Sequence, residues 1–257
     1  MSTRPGAQGP GIPRTGEVVV ATSPTGGEEA VLDLGPSHPS AHGVLRLRLR
    51  VEDDVVVEAE TVVGFLHRGA EKLFEVRDYR SGLALANRHD WHSAAVDEIV
   101  FARAVESMLG LAVPPRAVWL RTALVEISRV QASLAFLAAA PAAVGTSGSD
   151  AARATREAAT ALREELVTLV VAATGGRLHV MAAQPGGLVD DVPPGWLDDL
   201  AATVSRARDV HLPLLPAGLQ DDAAFVARTT GAGVVEAARA ASFGASGPVA
   251  RAAGLPL

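Results

Sequence analysis

The stretch Gly35-Pro36-Ser37-His38-Pro39-Ser40-Ala41-His42-Gly43-Val44-Leu45-Arg46-Leu47-Arg48 decides how the chain reads. Pro39 has no N–H for a helix and pushes the residue before it toward extended backbone, so His38 and His42 do not share a helical face. Their four-residue spacing is therefore not the helical metal-ligand pattern. The expected geometry is a tight loop, opened by Gly35-Pro36 and closed by Gly43, with both rings projecting from constrained backbone. After it, Leu45, Leu47 and Leu49 alternate with Arg46, Arg48 and Arg50, the period of a half-buried strand. The acidic turn Glu52-Asp53-Asp54 leads into Val55-Val56-Val57-Glu58-Ala59-Glu60, which predicts an antiparallel hairpin over 44–63. Two readings of the histidines stay open on these residues alone. They are rings presented at a site, or capping side chains bonded to nearby backbone.

Working outward, Glu17–Ala21 and Ala30–Leu34 are strand candidates that would join the hairpin in a small antiparallel sheet. Residues 1–15, rich in Pro, Gly, Ser and Thr, are expected to be a disordered tail. From Asp78 onward the apolar period becomes helical. Ala94–Leu109 carries Val96, Ile99, Val100, Ala104, Val105 and Met108 on one side, with Gly110 as its C′ residue. Pro114-Pro115 starts a helix in which Leu120, Leu124, Ile127, Val130, Leu134 and Leu137 recur at three- and four-residue steps, and Pro141 is expected to end it. Ser149 or Asp150 caps a helix over 151–173 that stops at Gly175-Gly176. Asp191 is expected to cap another, with Pro193-Pro194 in its first turn, running to about Val210. The fold class is α+β: a sheet domain over 16–75, then a helix-dominated bundle over 76–257 with an irregular tail.

The chain of 257 residues is long enough to bury a sizeable core. It has no cysteine, which excludes disulfides and thiolate-held iron–sulfur clusters on this chain. A net charge of −6 without a dense basic patch argues against nucleic-acid binding. The most apolar run, Ala132 to Val144, is shorter than the ~20 residues a membrane span needs and contains Pro141. No transmembrane segment is therefore expected, and no signal peptide is evident.

Two motifs at this distance, Gly35 to Leu49 and then Gly64-Phe65-Leu66-His67-Arg68-Gly69-Ala70-Glu71-Lys72-Leu73, resemble the D-type component of the proton-pumping NADH:quinone oxidoreductase, complex I. That component is itself related to the nickel–iron hydrogenase large subunit. Further matching runs include Val113-Pro114-Pro115-Arg116-Ala117, Glu126-Ile127-Ser128-Arg129, Thr174-Gly175-Gly176-Arg177 and Pro185-Gly186-Gly187-Leu188. The similarity covers residues 30 to 255.

The resemblance implies a role for particular residues. His42 matches the histidine that bonds a quinone carbonyl and delivers a proton to it, a task suited to an imidazole with pKa near ~6.5. His38 matches its neighbour. In Asn87-Arg88-His89-Asp90-Trp91, Arg88 matches an arginine beside the terminal iron–sulfur cluster of the adjacent B-type subunit, and His179 matches a histidine approaching the same cluster. For each, an ordinary ion pair or capped helix end is the competing reading.

Two departures stand out. Trp91 replaces the family tyrosine on the quinone, giving an indole N–H in a bulkier ring without an acidic O–H. The family aspartate that orients the histidine falls on Ala143, with Asp150 a distant substitute. The family also continues far past the position of Leu257. Quinone is then the substrate, no metal or cofactor is held by this chain alone, and the cluster comes from the partner. The partners expected are the B-type subunit and other hydrophilic-arm subunits, and the expected location is peripheral, on the cytoplasmic face of the cell membrane. A shortened paralogue that only scaffolds an iron–sulfur partner is the alternative; a hydrogenase is excluded for want of cysteine.

Overall fold

The computed structural model describes residues 18–22, 28–34, 45–52, 55–65, 67–215 and 219–256. The expected disordered tail, and the loop carrying His38 and His42, lie outside these. Four strands, β1 (Val18–Thr22), β2 (Glu28–Leu34), β3 (Leu45–Glu52) and β4 (Val55–Val62), form one antiparallel sheet in the order β1-β2-β3-β4. The alternating pattern of β3 is realised as register: Arg48 lies opposite Glu60 and Arg50 opposite Glu58. Both pairs close as ion pairs, at 2.7 and 3.2 Å, and both are solvent-exposed, so they fix register more than stability. The sheet stands N-terminal to the helices as expected.

The helices follow: α1 (Ala70–Val76), α2 (Tyr79–Ala86), α3 (Ala94–Leu109), α4 (Pro115–Ala143), α5 (Asp150–Thr174), α6 (Trp196–Arg206), α7 (Ala223–Thr229), α8 (Ala237–Ser242) and α9 (Gly247–Ala252). α3 ends at Gly110 in the left-handed conformation, and Ser149 caps α5 by accepting from the Ala152 amide at 3.0 Å. The core lies where α3, α4 and α5 meet, around Ala102, Leu120, Leu124, Ile127, Leu134, Ala159, Leu162 and Leu166. Trp196 of α6 closes it, its indole N–H donating to the Leu169 carbonyl at 2.8 Å.

Several expectations shift. Pro141 does not end α4 but sits in its last turn, where its missing N–H removes one hydrogen bond and the helix continues to Ala143. The helix Pro115–Ala143 is thereby long and apolar enough, by length and composition, to cross a membrane (mean hydropathy 1.4). Its Leu120, Leu124, Ile127 and Leu134 are nonetheless buried in the protein core. Asp191 does not cap α6. It makes a two-bond ion pair with Arg116 (2.8 and 3.0 Å), and Gly195 occupies the cap position. Past Arg206 the chain continues as a π turn, Ala207–His211. The buried face of α3 is rotated from the apolar stripe: Val100 and Met108 are exposed, whereas Glu98 and Glu106 are buried.

Both glutamates bind the same later segment, which folds as a two-strand hairpin, β5 (Ala183–Gln184) and β6 (Gly187–Leu188). Glu106 pairs with Arg121 of α4 (2.7 and 3.0 Å) and accepts from the Gly186 amide at 2.8 Å. Arg121 also donates to the carbonyls of Gln184 and Gly187 (2.8 and 2.7 Å), so nearly every polar atom of the pair is used. Glu98 accepts from the Ala183 amide and from Asn87.

These two carboxylates predict opposite acid–base behaviour. Arg121 holds the Glu106 carboxyl below its ordinary range. Its stabilising share is present above the unfolded carboxylate pKa and is lost as pH falls through the folded one. Arg121→Met, which strands Glu106 as an unpaired buried charge, should cost about 3–5 kcal/mol in a urea titration at neutral pH. The double change Arg121→Met with Glu106→Leu should cost less. Glu98 is pushed up, chiefly by burial, and its bonded neighbours are neutral. The folded state therefore holds that proton more tightly, and stability falls as pH rises through the raised pKa. Unfolding midpoints of wild type and Glu98→Gln should diverge in the variant's favour as pH rises from about 4 to 8, across the ordinary and raised carboxylate range. A constant difference would contradict this.

Candidate functional site

The turn between α2 and α3 carries the run Asn87-Arg88-His89-Asp90-Trp91. It forms because α2 unwinds through bent hydrogen bonds, Arg88 N–H to Leu85 (3.2 Å) and His89 N–H to Ala86 (3.0 Å). Asp97 of α3 then captures the Asp90 amide at 2.9 Å. Burial holds the Asp97 carboxyl above its ordinary value. Arg88 folds back over this turn, its Nη1 donating to the Ala84 carbonyl and to Asn87 Oδ1, each at 2.7 Å. Among the described residues its remaining guanidinium N–H groups have no acceptor.

His179 reaches the same point from a distant part of the chain. Gly175 ends α5 in the left-handed conformation, and Gly176 follows where a Cβ would lie 2.5 Å from the His179 carbonyl oxygen, so the backbone doubles back too closely for a side chain. Thr174 Oγ accepts from the Gly176 amide at 3.1 Å and secures the turn. His179 Nδ1 then lies 3.2 Å from the Asn87 carbonyl, a contact between residues 92 apart in sequence. A carbonyl only accepts, so Nδ1 carries the proton and Nε2 is the atom left to act outward.

Asn87 is thus the hub, with no exposed surface. Its backbone oxygen takes His179, its Oδ1 takes Arg88, and its Nδ2 donates to Glu98 Oε2 (3.1 Å) and to the Met181 sulfur (2.8 Å). Met181 has φ of 46°, the only non-glycine residue with positive φ among those described.

A cleft of about 230 Å³ is lined by Arg88 with His67, Arg68, Glu71, Leu73 and His89, among others. Arg68 ties the loop before α1 to this turn by donating to the Arg88 carbonyl at 3.0 Å. His89 stacks on Phe74 with ring centroids 5.7 Å apart, and Phe74 packs on Phe101 of α3 at 5.3 Å. The cleft wall mixes the cationic Arg68 and Arg88 and the rings of His67 and His89 with the carboxylate of Glu71 and the apolar Ala70, Leu73 and Leu85. Trp91 does not line it. It is 40% exposed, packs on His92 at 3.7 Å, and borders a second, smaller cleft with Ser128, Gln131, Arg163 and Arg177. The structure therefore brings Arg88 and His179 together and turns Trp91 elsewhere, while His38 and His42 lie outside the described residues. Ala143 is exposed at the end of α4, and Asp150 is a surface residue paired with Arg153 at 2.8 Å. Among the described residues no group of three His, Asp or Glu side chains is placed to hold a metal ion.

Sequence patterns alone do not single out His67, Arg68, His89, Asn87 and Glu98 as members of this site. His67, Arg68, Asn87 and His89 lie in runs that stand out for their family likeness, which is the available signal. Nothing local marks a buried Asn or Glu, because their partners are supplied by distant backbone.

The family model for the respiratory-chain NADH dehydrogenase 49 Kd subunit matches residues 152–257. The chain is 49% identical to the second D-type NADH-quinone oxidoreductase component of Salinispora tropica, over 94% of this chain and 61% of that protein. It is 46% identical to the corresponding second D-type component of Streptomyces griseus, over 88% of this chain and 56% of that one. Among solved structures, a chain of the membrane-bound sulfane sulfur reductase, an archaeal respiratory membrane complex, superposes with a TM-score of 0.76 and 32% identity, over 86% of this chain and 57% of that one. The chain spans about three fifths of the length of the curated relatives it matches. Identity of this order, extending over nearly the whole chain and so over both the α2–α3 turn and the loop of His179, makes this chain a member of the D-type (49 Kd) family of NADH-quinone oxidoreductase components.

Proposed function

We propose that this chain supplies one wall of a quinone-reduction site in a complex I-like assembly peripheral to the cytoplasmic face of a membrane, next to an iron–sulfur cluster held by a B-type partner. The observation that carries this reading is the meeting of Arg88 and His179 on one buried residue, Asn87. A cationic guanidinium and an imidazole fixed at a protein face are what a neighbouring electron-transfer centre needs. N–H donors and positive charge beside a cluster raise its reduction potential, which favours electron arrival at that point. The cluster, a one-electron carrier, would pass the two electrons in succession. This chain's own task is proton delivery: quinone plus two electrons and two protons gives quinol, with one proton donated by His42, which is recharged from solvent, and the other taken from water.

A second reading, a scaffold for the iron–sulfur partner without quinone chemistry, is favoured by Trp91. Its ring borders a different cleft from Arg88, and a bulky indole there removes a phenolic donor from the ligand.

Reconstitution with a B-type iron–sulfur partner separates the two. Under the first reading His42→Ala lowers kcat for quinone reduction by about 10²-fold or more, the usual contribution of a general acid. Trp91→Tyr raises kcat/KM. Arg88→Gln lowers the cluster's midpoint potential in a redox titration followed by electron paramagnetic resonance. A complex that assembles yet reduces no quinone in wild type or Trp91→Tyr establishes the scaffold.

A further inference from the structure

Asn87 and Glu98 have no exposed surface and do not line the cleft of Arg88, yet their side chains bond to the residues that shape the candidate site. Burying a carboxylate is costly unless its oxygens are bonded, and Glu98 is fully used. Oε2 takes Asn87 Nδ2, Oε1 takes the Ala183 amide, and the Met181 and Ala182 amides also face it. The direction of each bond is forced. Above its raised pKa the ionised carboxylate only accepts, so there the Asn87 amide must turn its NH₂ toward Glu98 and its oxygen toward Arg88. Glu98 thereby dictates that Arg88 meets an acceptor. On the other side Glu98 holds 181–183, two residues beyond His179. Met181 keeps a left-handed backbone there, a conformation that residues other than glycine adopt only at a cost. Strain of this kind persists only where surrounding bonds over-determine it.

We propose that Asn87 and Glu98 are positioning residues that lock Arg88 and His179 into one rigid unit, Glu98 setting the amide orientation of Asn87 and anchoring the loop that carries His179. That the unit serves a partner's cluster rests on the proposed function; the lock itself is a property of this chain. The chemistry makes a sharp test. In Glu98→Gln one donor of the new amide faces Asn87, whose amide must flip and present its NH₂ to Arg88. In Asn87→Asp two carboxylates meet. Combining Asn87→Asp with Glu98→Gln restores the pattern with polarity reversed, since the new amide donates to the new carboxylate, which still accepts from Arg88.

The experiment uses the full chain labelled with ¹⁵N on histidine and arginine. Wild type should show a slowly exchanging His179 Nδ1–H signal and one sharp Arg88 Nε signal. Each single variant should lose the first and broaden the second, and the double variant should regain both. Singles with wild-type signals would overturn the proposal. So would a double variant that recovers thermal stability without recovering the two signals, because that is a purely structural role. In the complex with the iron–sulfur partner, the cluster's midpoint potential should fall in the singles and return in the double. Recovered signals with an unmoved potential would uphold the lock and count against the cluster-facing reading instead.

Discussion

Two carboxylates on one face of α3 organise the molecule. Glu98 and Glu106 stand eight residues apart, a little over two helical turns, or about 12 Å along the axis. Each captures backbone amides of the segment from Met181 to Leu188, which arrives from the far end of α5. Arg121 of α4 neutralises the second and takes the carbonyls of Gln184 and Gly187 as well. A segment of eight residues with only two-residue strands has little cohesion of its own. It is ordered because α3 and α4 present acceptors and donors at the spacing its backbone requires.

That arrangement fixes the candidate site. The segment's first residues follow His179 directly, so anchoring Met181 and Ala183 to Glu98 determines where the imidazole lies. The same glutamate orients Asn87, and Asn87 holds Arg88. Positive charge and an imidazole are thus set by buried hydrogen bonds rather than by surface pairing, which water and salt would weaken. The exposed ion pairs of the sheet, by contrast, define strand register and little else.

The neighbouring cleft gives the site its electrostatic character. Arg68 is tethered to the Arg88 carbonyl and His89 is stacked on Phe74, so both side chains of the wall are held in place. Trp91 leaves the turn in another direction and packs on His92. Its large indole ring finds its packing away from the cleft that Arg88 lines.

Much was legible in the residues. Alternating Leu and Arg in β3, Gly110 after α3, Pro115 opening α4 and Ser149 capping α5 are local signals, because period, φ preference and capping depend on neighbours in sequence. From them follow the α+β class and the main helices. The quoted motifs carried the family likeness. The face of α3 that is buried was decided only in three dimensions, since Glu98 and Glu106 look like surface residues until remote amides and Arg121 satisfy them. The same holds for Asp191, which a local rule makes a cap and which Arg116 takes instead. A carboxylate's place in a fold depends on what neutralises it. Where that partner is a backbone amide or a guanidinium many residues away, chain order carries no trace of it and only the packed structure settles the question.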